Sequence, residues 1–250
     1  MEKIAVVTGA SAGIGRATAR GLAEAGFGVV LAARRLERLE ELASEIGGRA
    51  IELDVTDDAS VAKLASSVDR VDLLVNNAGA AHGLEGIADA DQRNWETMYQ
   101  LNVLGVLRVT GALLPALRRS SDAQIVNLGS VAGFETYPGG GGYTASKHAL
   151  RAMTTTLRQE LLGEPIKVTE ICPGLVETEF SLVRFAGDAE RAAAVYQGMT
   201  PLVAEDVAAC IVFAATRPPH VNIDEIVVKP RDQASSLSVH RRATEESHGS

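Results

Sequence analysis

An α/β fold of one domain, with a parallel sheet between layers of helices, is what this sequence predicts, and three observations carry the prediction. Short β-branched runs alternate with helix-like segments from residue 4 to residue 228, and such alternation requires parallel strands joined by right-handed crossovers. The first run passes straight into a glycine turn and then a helix, the context in which such a turn holds a phosphate. A length of 250 residues with 46% hydrophobic content suits one large core.

Residues 4–8 (IAVVT) read as a strand buried on both faces. Gly9, Ser11, Gly13, Ile14 and Gly15 follow, and a helix is expected over 16–25. Glycines let the backbone approach a diphosphate, and a helix N-terminus offers it free N–H groups and a partial positive charge. The spacing is G-x-x-x-G-x-G, not the commoner G-x-G-x-x-G. A second strand over 28–33 ends in Arg34 and Arg35. A carboxylate at that point suits the ribose hydroxyls of NAD, whereas guanidinium groups suit the 2′-phosphate of NADP(H). NADP(H) is therefore expected, with Arg34 and Arg35 as a clamp and Ser11 as an added donor. The competing reading is a salt bridge from one arginine to Glu37 or Glu40. The helix over 36–46 closes on two glycines. A third strand over 50–55 brings Asp54, with Val55 beside it, towards an adenine amino group. A helix over 58–68 and a strand over 71–75 follow, and then Asn76, Asn77, Ala78 and Gly79. These amides either brace the sheet or meet the cofactor.

Helices are expected over 92–107, carrying Asn102, and over 110–118. A buried asparagine needs partners, which a backbone carbonyl or an ordered water supplies. The apolar run 124–128 is a buried strand that delivers Ser130 at its exit. If Tyr143 opens a helix, Lys147 lies one turn on, on the same face. A tyrosine ordinarily titrates near ~10, and an ammonium beside it favours the phenolate, bringing it towards useful acid/base work. Ser130 then holds a carbonyl or hydroxyl oxygen. The plain alternatives are a surface-packed Tyr–Lys pair and, for the glycines at 139–142, a flexible loop. The helix runs on to 162, and a sixth strand over 166–171 exits through Pro173, Gly174, Val176 and Thr178 at the nicotinamide end. Residues 178–200 read as a lid, helical over 181–198, followed by a packing helix over 205–215 and an edge strand over 223–228. From 231 to 250 the composition is that of a polar tail, disordered or borrowed by a partner subunit.

A net charge of -8 argues against nucleic acid and against an anionic membrane surface. No apolar run approaches the roughly 20 residues of a bilayer span, and Met1-Glu2-Lys3 leads into a strand, not a signal sequence. A cytoplasmic protein is expected. Cys172 and Cys210 are expected as buried free thiols, and no metal site is expected.

With Thr8-Gly9-x-x-x-Gly13-Ile14-Gly15, Asn76-Asn77-Ala78-Gly79, Asn102, Ser130, Tyr143-x-x-x-Lys147 and Pro173-Gly174 in order, the chain resembles the short-chain dehydrogenase/reductase superfamily. The resemblance implies a doubly wound Rossmann sheet of seven strands, order 3-2-1-4-5-6-7, and hydride transfer between nicotinamide and a carbinol carbon. It implies Tyr143 as acid/base, Ser130 as substrate anchor, Lys147 on the ribose and Asn102 holding a water of the proton relay. It also implies a homodimer or homotetramer. The run from Pro173 to Phe185, with 32–39 and 221–225, looks like the NADP-dependent 3-hydroxy acid dehydrogenases, which act on L-allo-threonine, L-serine and malonic semialdehyde. Arg184 is the candidate for the substrate carboxylate, against the alternative of an ion pair with Asp188. Other readings are a broad carbonyl reductase and a non-catalytic NADP(H)-binding regulator. A ketoacyl reductase is disfavoured by the last strand, which lacks a glycine-rich ending.

Overall fold

In the computed structural model, which describes residues 2–242, the first half of the chain alternates as expected. It runs β1 (Lys3–Thr8), α1 (Gly13–Glu24), β2 (Phe27–Ala33), α2 (Leu36–Ile46), β3 (Arg49–Glu52), α3 (Asp58–Ser66) and β4 (Leu73–Asn76). Next come α4 (Gln92–Tyr99), α5 (Gly105–Leu117), β5 (Ala123–Leu128), α6 (Gly141–Glu160) and β6 (Ile166–Pro173). The short helices α7 (Glu179–Arg184) and α8 (Ala189–Ala194) precede α9 (Ala204–Ala215) and the edge strand β7 (Glu225–Val228). The strands form one sheet in the order β3-β2-β1-β4-β5-β6-β7, every pair parallel. This is the doubly wound order the resemblance implies.

Alternation of side chains along a strand explains why the central strands are apolar throughout. Ala5 and Val7 of β1 join a core with Leu22 of α1, Leu39 and Leu42 of α2, and Ile211 of α9. Val6, between them, faces the opposite layer with Leu64 of α3 and Leu113 of α5. Each fully buried leucine of this kind contributes about 1.5–3 kcal/mol. Between β4, β5 and the helices above them runs a buried polar ladder. Asn76 Nδ2 donates to Asn127 Oδ1 at 2.9 Å and to Thr110 Oγ1 at 3.0 Å, and Asn127 Nδ2 donates to Thr154 Oγ1 at 2.9 Å.

Four expectations need correction. The helices expected over 92–107 and 110–118 are one rod, joined by a π turn at Gln100–Leu104 that places Asn102 in the interior. Nothing between 107 and 110 breaks a helix, so the ladder continues. This rod is long and apolar enough, by length and composition, to cross a bilayer, contrary to the absence of such a stretch in the sequence reading. Half of its most apolar window is buried inside the fold. The lid is two short helices instead of one, divided at Gly187 with φ +92°. The polar tail, as far as Arg242, is packed: Gln233 Oε1 accepts from Leu175 N at 2.8 Å, and Arg242 N donates to Gly198 O at 2.7 Å. Its polar groups satisfy backbone donors and acceptors of the turn after β6 and of the lid, a partnership that composition does not reveal. The remainder of the tail, 243–250, lies outside the described residues.

The glycines at 139–142 are likewise no loose loop. A Cβ at Gly140 would overlap the Tyr137 ring, one at Gly141 would lie 2.9 Å from Trp95, and one at Gly142 would lie 3.0 Å from the Trp95 ring. They let the first turn of α6 press against α4 and the chain before it. Replacing Asn76 by alanine is expected to leave Asn127 Oδ1 without its donor in a dry interior. A loss of about 1–3 kcal/mol of stability follows, read by urea denaturation; an unchanged midpoint would show the ladder to be unimportant.

Candidate active site

All strands point one way, so the carboxyl ends of β1, β2, β4, β5 and β6 open on one cleft of about 920 Å³, a volume in the range of ligand sites. Of the expected cofactor residues, Gly9, Ser11, Gly13, Ile14, Arg34, Arg35, Asp54, Val55, Asn77, Ala78, Gly79, Tyr143, Lys147, Pro173, Gly174, Val176 and Thr178 all line it. Gly15 sits behind the wall, where a Cβ would overlap the Gly9 carbonyl and the Asn77 amide. Gly9 and Gly13 adopt φ of +68° and +50°, left-handed values natural to glycine. The open question about Asn77 is resolved by its contacts: Nδ2 donates to Thr8 O at 2.9 Å, and the Asn77 and Ala78 N–H groups donate to Thr8 Oγ1, each at 3.0 Å. The asparagine braces the glycine turn. A bare-backbone turn at the start of α1 is the cradle a diphosphate needs, so the residues present fit a dinucleotide.

At the far end of the cleft Arg35 Nε donates to Ser11 Oγ at 3.1 Å, and its Nη1 pairs with Glu179 at 2.8 Å. Arg38 shares the same carboxylate at 2.8 Å. Neither Glu37 nor Glu40 takes Arg35; the partner is the first residue of α7, distant in sequence. The two guanidinium groups hold the Glu179 carboxyl below its ordinary range. Asp54 Oδ1 accepts from Thr56 N at 2.9 Å and Thr56 Oγ1 at 2.7 Å, which keeps this carboxyl ionised.

At the near end stand Ser130, Tyr143 and Lys147. Ser130 follows β5 and its Oγ accepts from Ala132 N at 3.1 Å, capping a single 3₁₀ turn. Tyr143 is the third residue of α6, and Lys147 Nζ lies 5.9 Å from its ring centroid, so the two share a wall as the spacing predicts. Lys147 Nζ donates to Leu128 O at 2.7 Å. The expected effect on the phenol is not observed. Burial pushes Tyr143 above its ordinary value, and Ser130's hydroxyl and Arg184's charge are what oppose it. The lysine is itself pushed down to about 8 by burial, with Glu170 acting the other way. Its proton is directed at a carbonyl, not at the phenol, and desolvation outweighs the attraction.

Asn102 holds both backbone groups of one residue: Oδ1 accepts from Ala80 N and Nδ2 donates to Ala80 O, both at 2.9 Å. Nδ2 also donates to Ser146 Oγ at 3.0 Å, and Ser146 Oγ to Tyr143 O at 2.8 Å. The side chain thus ties the loop after β4 to the turn bearing Tyr143. Arg184 points into the site instead of pairing with Asp188, which caps α8 through Arg191 N. Its Nε donates to Gly83 O and its Nη1 to Tyr137 Oη, each at 3.1 Å, and its guanidinium lies 5.8 Å from the Tyr143 ring centroid. Nη2 is buried and, among the described residues, has no partner. The sequence reading missed Tyr137, Glu179, Phe180, Gln233 and Ser236, all of which line the cleft. Phe180 packs edge-on against Tyr143 at 5.5 Å. Only Tyr137, an aromatic ahead of the glycine run, carries a local signal.

A glycine cradle, a basic far end and a Ser, Tyr and Lys group on one cleft define an oxidoreductase site for a dinucleotide. The short chain dehydrogenase family model matches residues 3–187, and the chain belongs to that family. It is 62% identical over 243 residues to an uncharacterized oxidoreductase of Mycobacterium tuberculosis, covering 97% of this chain and 96% of the relative. It is 45% identical to a sulfoacetaldehyde reductase of Chromohalobacter salexigens over 94% of this chain and 97% of that one. A solved structure described as the closed form of serine dehydrogenase complexed with NADP+ matches with a TM-score of 0.90 and 40% identity, covering 96% of this chain and all (100%) of the other.

Gly15→Ala is expected to displace the cradle by driving a methyl into the Gly9 carbonyl. NADPH binding, followed by its fluorescence, should weaken about tenfold or more; retained affinity would mean the turn has room that its geometry denies.

Proposed function

We propose that this enzyme interconverts a short 3-hydroxy acid and its carbonyl form with NADP(H), holding the substrate's acid group on Arg184. The observation that carries the reading is the Arg184 guanidinium. It is fixed by Gly83 and Tyr137, lies beside the Tyr143 ring, and keeps one buried nitrogen without a partner. A buried donor of this kind favours an anionic oxygen. Arg34 and Arg35 line the cleft after β2, the position that suits a 2′-phosphate, and serine, a 3-hydroxy acid, is the substrate named for the NADP+-bound relative.

Held by the glycine turn and the cleft residues after β2, NADP(H) would supply or accept a hydride when bound. Ser130 fixes the substrate oxygen, and Tyr143 exchanges a proton with it. At neutral pH the phenol carries its proton, since burial raises it, and this is the form that donates to a carbonyl oxygen during reduction. Lys147, charged below about 8, adds positive charge to the wall that a phenolate would face. Asn102 positions the Ala80 loop and the first turns of α6. A second reading replaces the carboxylate by a sulfonate, favoured by the 45% identity to a sulfoacetaldehyde reductase. Malonic semialdehyde and sulfoacetaldehyde place an acid group at the same remove from the aldehyde, so one arginine serves either.

Rates on malonic semialdehyde, L-serine, L-allo-threonine, sulfoacetaldehyde and neutral propanal, each with NADP(H) and NAD(H), test the reading. Preference for carboxylates with NADP(H) supports it, preference for sulfoacetaldehyde selects the sulfonate, and preference for propanal overturns both. Arg184→Met should lower kcat/KM on the acids by roughly ten- to a hundredfold more than on propanal, the worth of a charge-assisted hydrogen bond, since the loss of its hold on α7 and of its charge beside Tyr143 is common to both substrates. Tyr143→Phe should abolish turnover while NADPH still binds, because only the transferable proton is removed; wild-type turnover in that variant would sink the acid/base assignment.

A further inference from the structure

Behind Lys147 lies a group of charged side chains that the reaction as described leaves unused. Lys147 and Arg151 stand one turn apart on α6, Glu170 lies on β6 and Glu225 on β7. Glu170 is 3% exposed, and its Oε1 has no hydrogen-bond partner among the described residues. Gly129 shows where this oxygen sits: a Cβ at that position would overlap Glu170 Oε1 and lie 3.0 Å from Cys172 Sγ. Gly129 is also the residue between Leu128, whose carbonyl accepts from Lys147, and Ser130. The carboxylate therefore lies against the peptide that separates the lysine's acceptor from the serine. Arg151 is engaged chiefly elsewhere, because its Nη1 pairs closely with Glu225 and lies 3.9 Å from Glu170 Oε2.

Building on the reading of Lys147 and Tyr143 above, we propose that Glu170 is a positioning residue, the buried counter-charge that keeps the Lys147 amine in its ammonium form during turnover. The group holds two cations and two anions. Removing Glu170 leaves an uncompensated positive charge inside the protein, which is costly. An arginine does not give up its proton in such a setting, so the lysine does. The other groups facing Glu170 do not replace it: Cys172 on β6 is a thiol raised far above its ordinary value by burial, and Glu225 is committed to Arg151. The ligand atoms of Glu170, Cys172 and Glu225 lie within 4.8 Å of one another, yet the guanidinium of Arg151 already supplies the cation that a metal would bring. Burial raises the Glu170 carboxyl and the Glu225 charge acts the same way, while Arg151, Lys147 and the Cys172 thiol draw it back towards ionisation. Its effect on Lys147 is upward, against the burial that brings the lysine down to about 8.

The test reads the lysine directly. The chain has five lysines, and in protein labelled with ¹³Cε-lysine the Lys147 signal is identified by its loss in Lys147→Arg. Its titration midpoint is expected to fall by about one unit or more in Glu170→Gln and by less in Glu170→Asp, which keeps the charge but withdraws it. The alkaline limb of kcat/KM for malonic semialdehyde, or for whichever aldehyde the screen selects, should move down in the same order. The aspartate variant keeps the proposal testable if the glutamine one does not fold. A Lys147 midpoint common to all folded proteins overturns the counter-charge. A shifted midpoint with an unmoved turnover limb overturns instead the role of the lysine in the reaction.

Discussion

Holding an ammonium at the buried end of β5 is the constraint on which the active end of this molecule depends. Lys147 is 7% exposed and gives a hydrogen bond to the Leu128 carbonyl. To bring its amine there, α6 must start close against α4, which is why its first positions are glycines packed on Trp95 and Met98. To leave room for Glu170 and Cys172 behind the strand end, the chain carries no side chain at 129, and to present a hydroxyl it turns out at once at Ser130. One buried charge thus dictates the register of a helix, a strand end and a turn. Desolvation is the larger force on both titratable groups, raising the phenol and lowering the amine. The arrangement works only because anionic and cationic neighbours oppose that force at short range.

The remainder of the fold keeps this geometry stiff. The parallel sheet buries alternate faces of its central strands in two separate cores, and the amides of Asn76 and Asn127 lock β4 and β5 to α5 and α6. Asn77 does the same for the glycine turn, and Asn102 for the loop after β4. All four asparagines are spent on structure by their side chains. Their common role is to satisfy buried backbone and side-chain groups at the strand ends, where a regular ladder stops and unpaired polar groups would otherwise accumulate.

What the sequence made legible was local. Strand-to-helix alternation, the glycine turn, the Tyr143 and Lys147 spacing and the exit of Ser130 all depend on residues within a few positions of each other. The rest depends on partners far along the chain. Arg35 finds Glu179 across 144 residues, and Arg184 finds Gly83 across 101 and Tyr137 across 47. The π turn at Asn102 has no local breaker to announce it, because the asparagine is drawn inward by Ala80 and Ser146. A flexible loop stayed open as an alternative for the four glycines because sequence does not show their neighbours in space, Leu84, Tyr137, Trp95 and Met98. The sign of the Tyr143 shift was missed for a related reason: spacing reports that a cation is near, but not how dry the place is.

The lid helix α7 shows how these distant contacts serve one purpose. It is six residues long, far below the length at which a helix holds itself in water, so its place is set by what its side chains touch. Glu179, its first residue, is held by Arg35 and Arg38 at the basic end of the cleft. Arg184, its last, is held by Gly83 and Tyr137 beside the Tyr143 ring. Exposed ion pairs such as those of Glu179 contribute roughly 1 kcal/mol or less, so that end is the weaker fastening, while the part-buried Arg184 end, with bonds to Gly83 and Tyr137, is the stronger. A group of greater negative charge at the basic end would meet little resistance from Glu179, whereas an anion at the other end would complete the bonding of Arg184. Both ends of the cleft therefore act on the same short element.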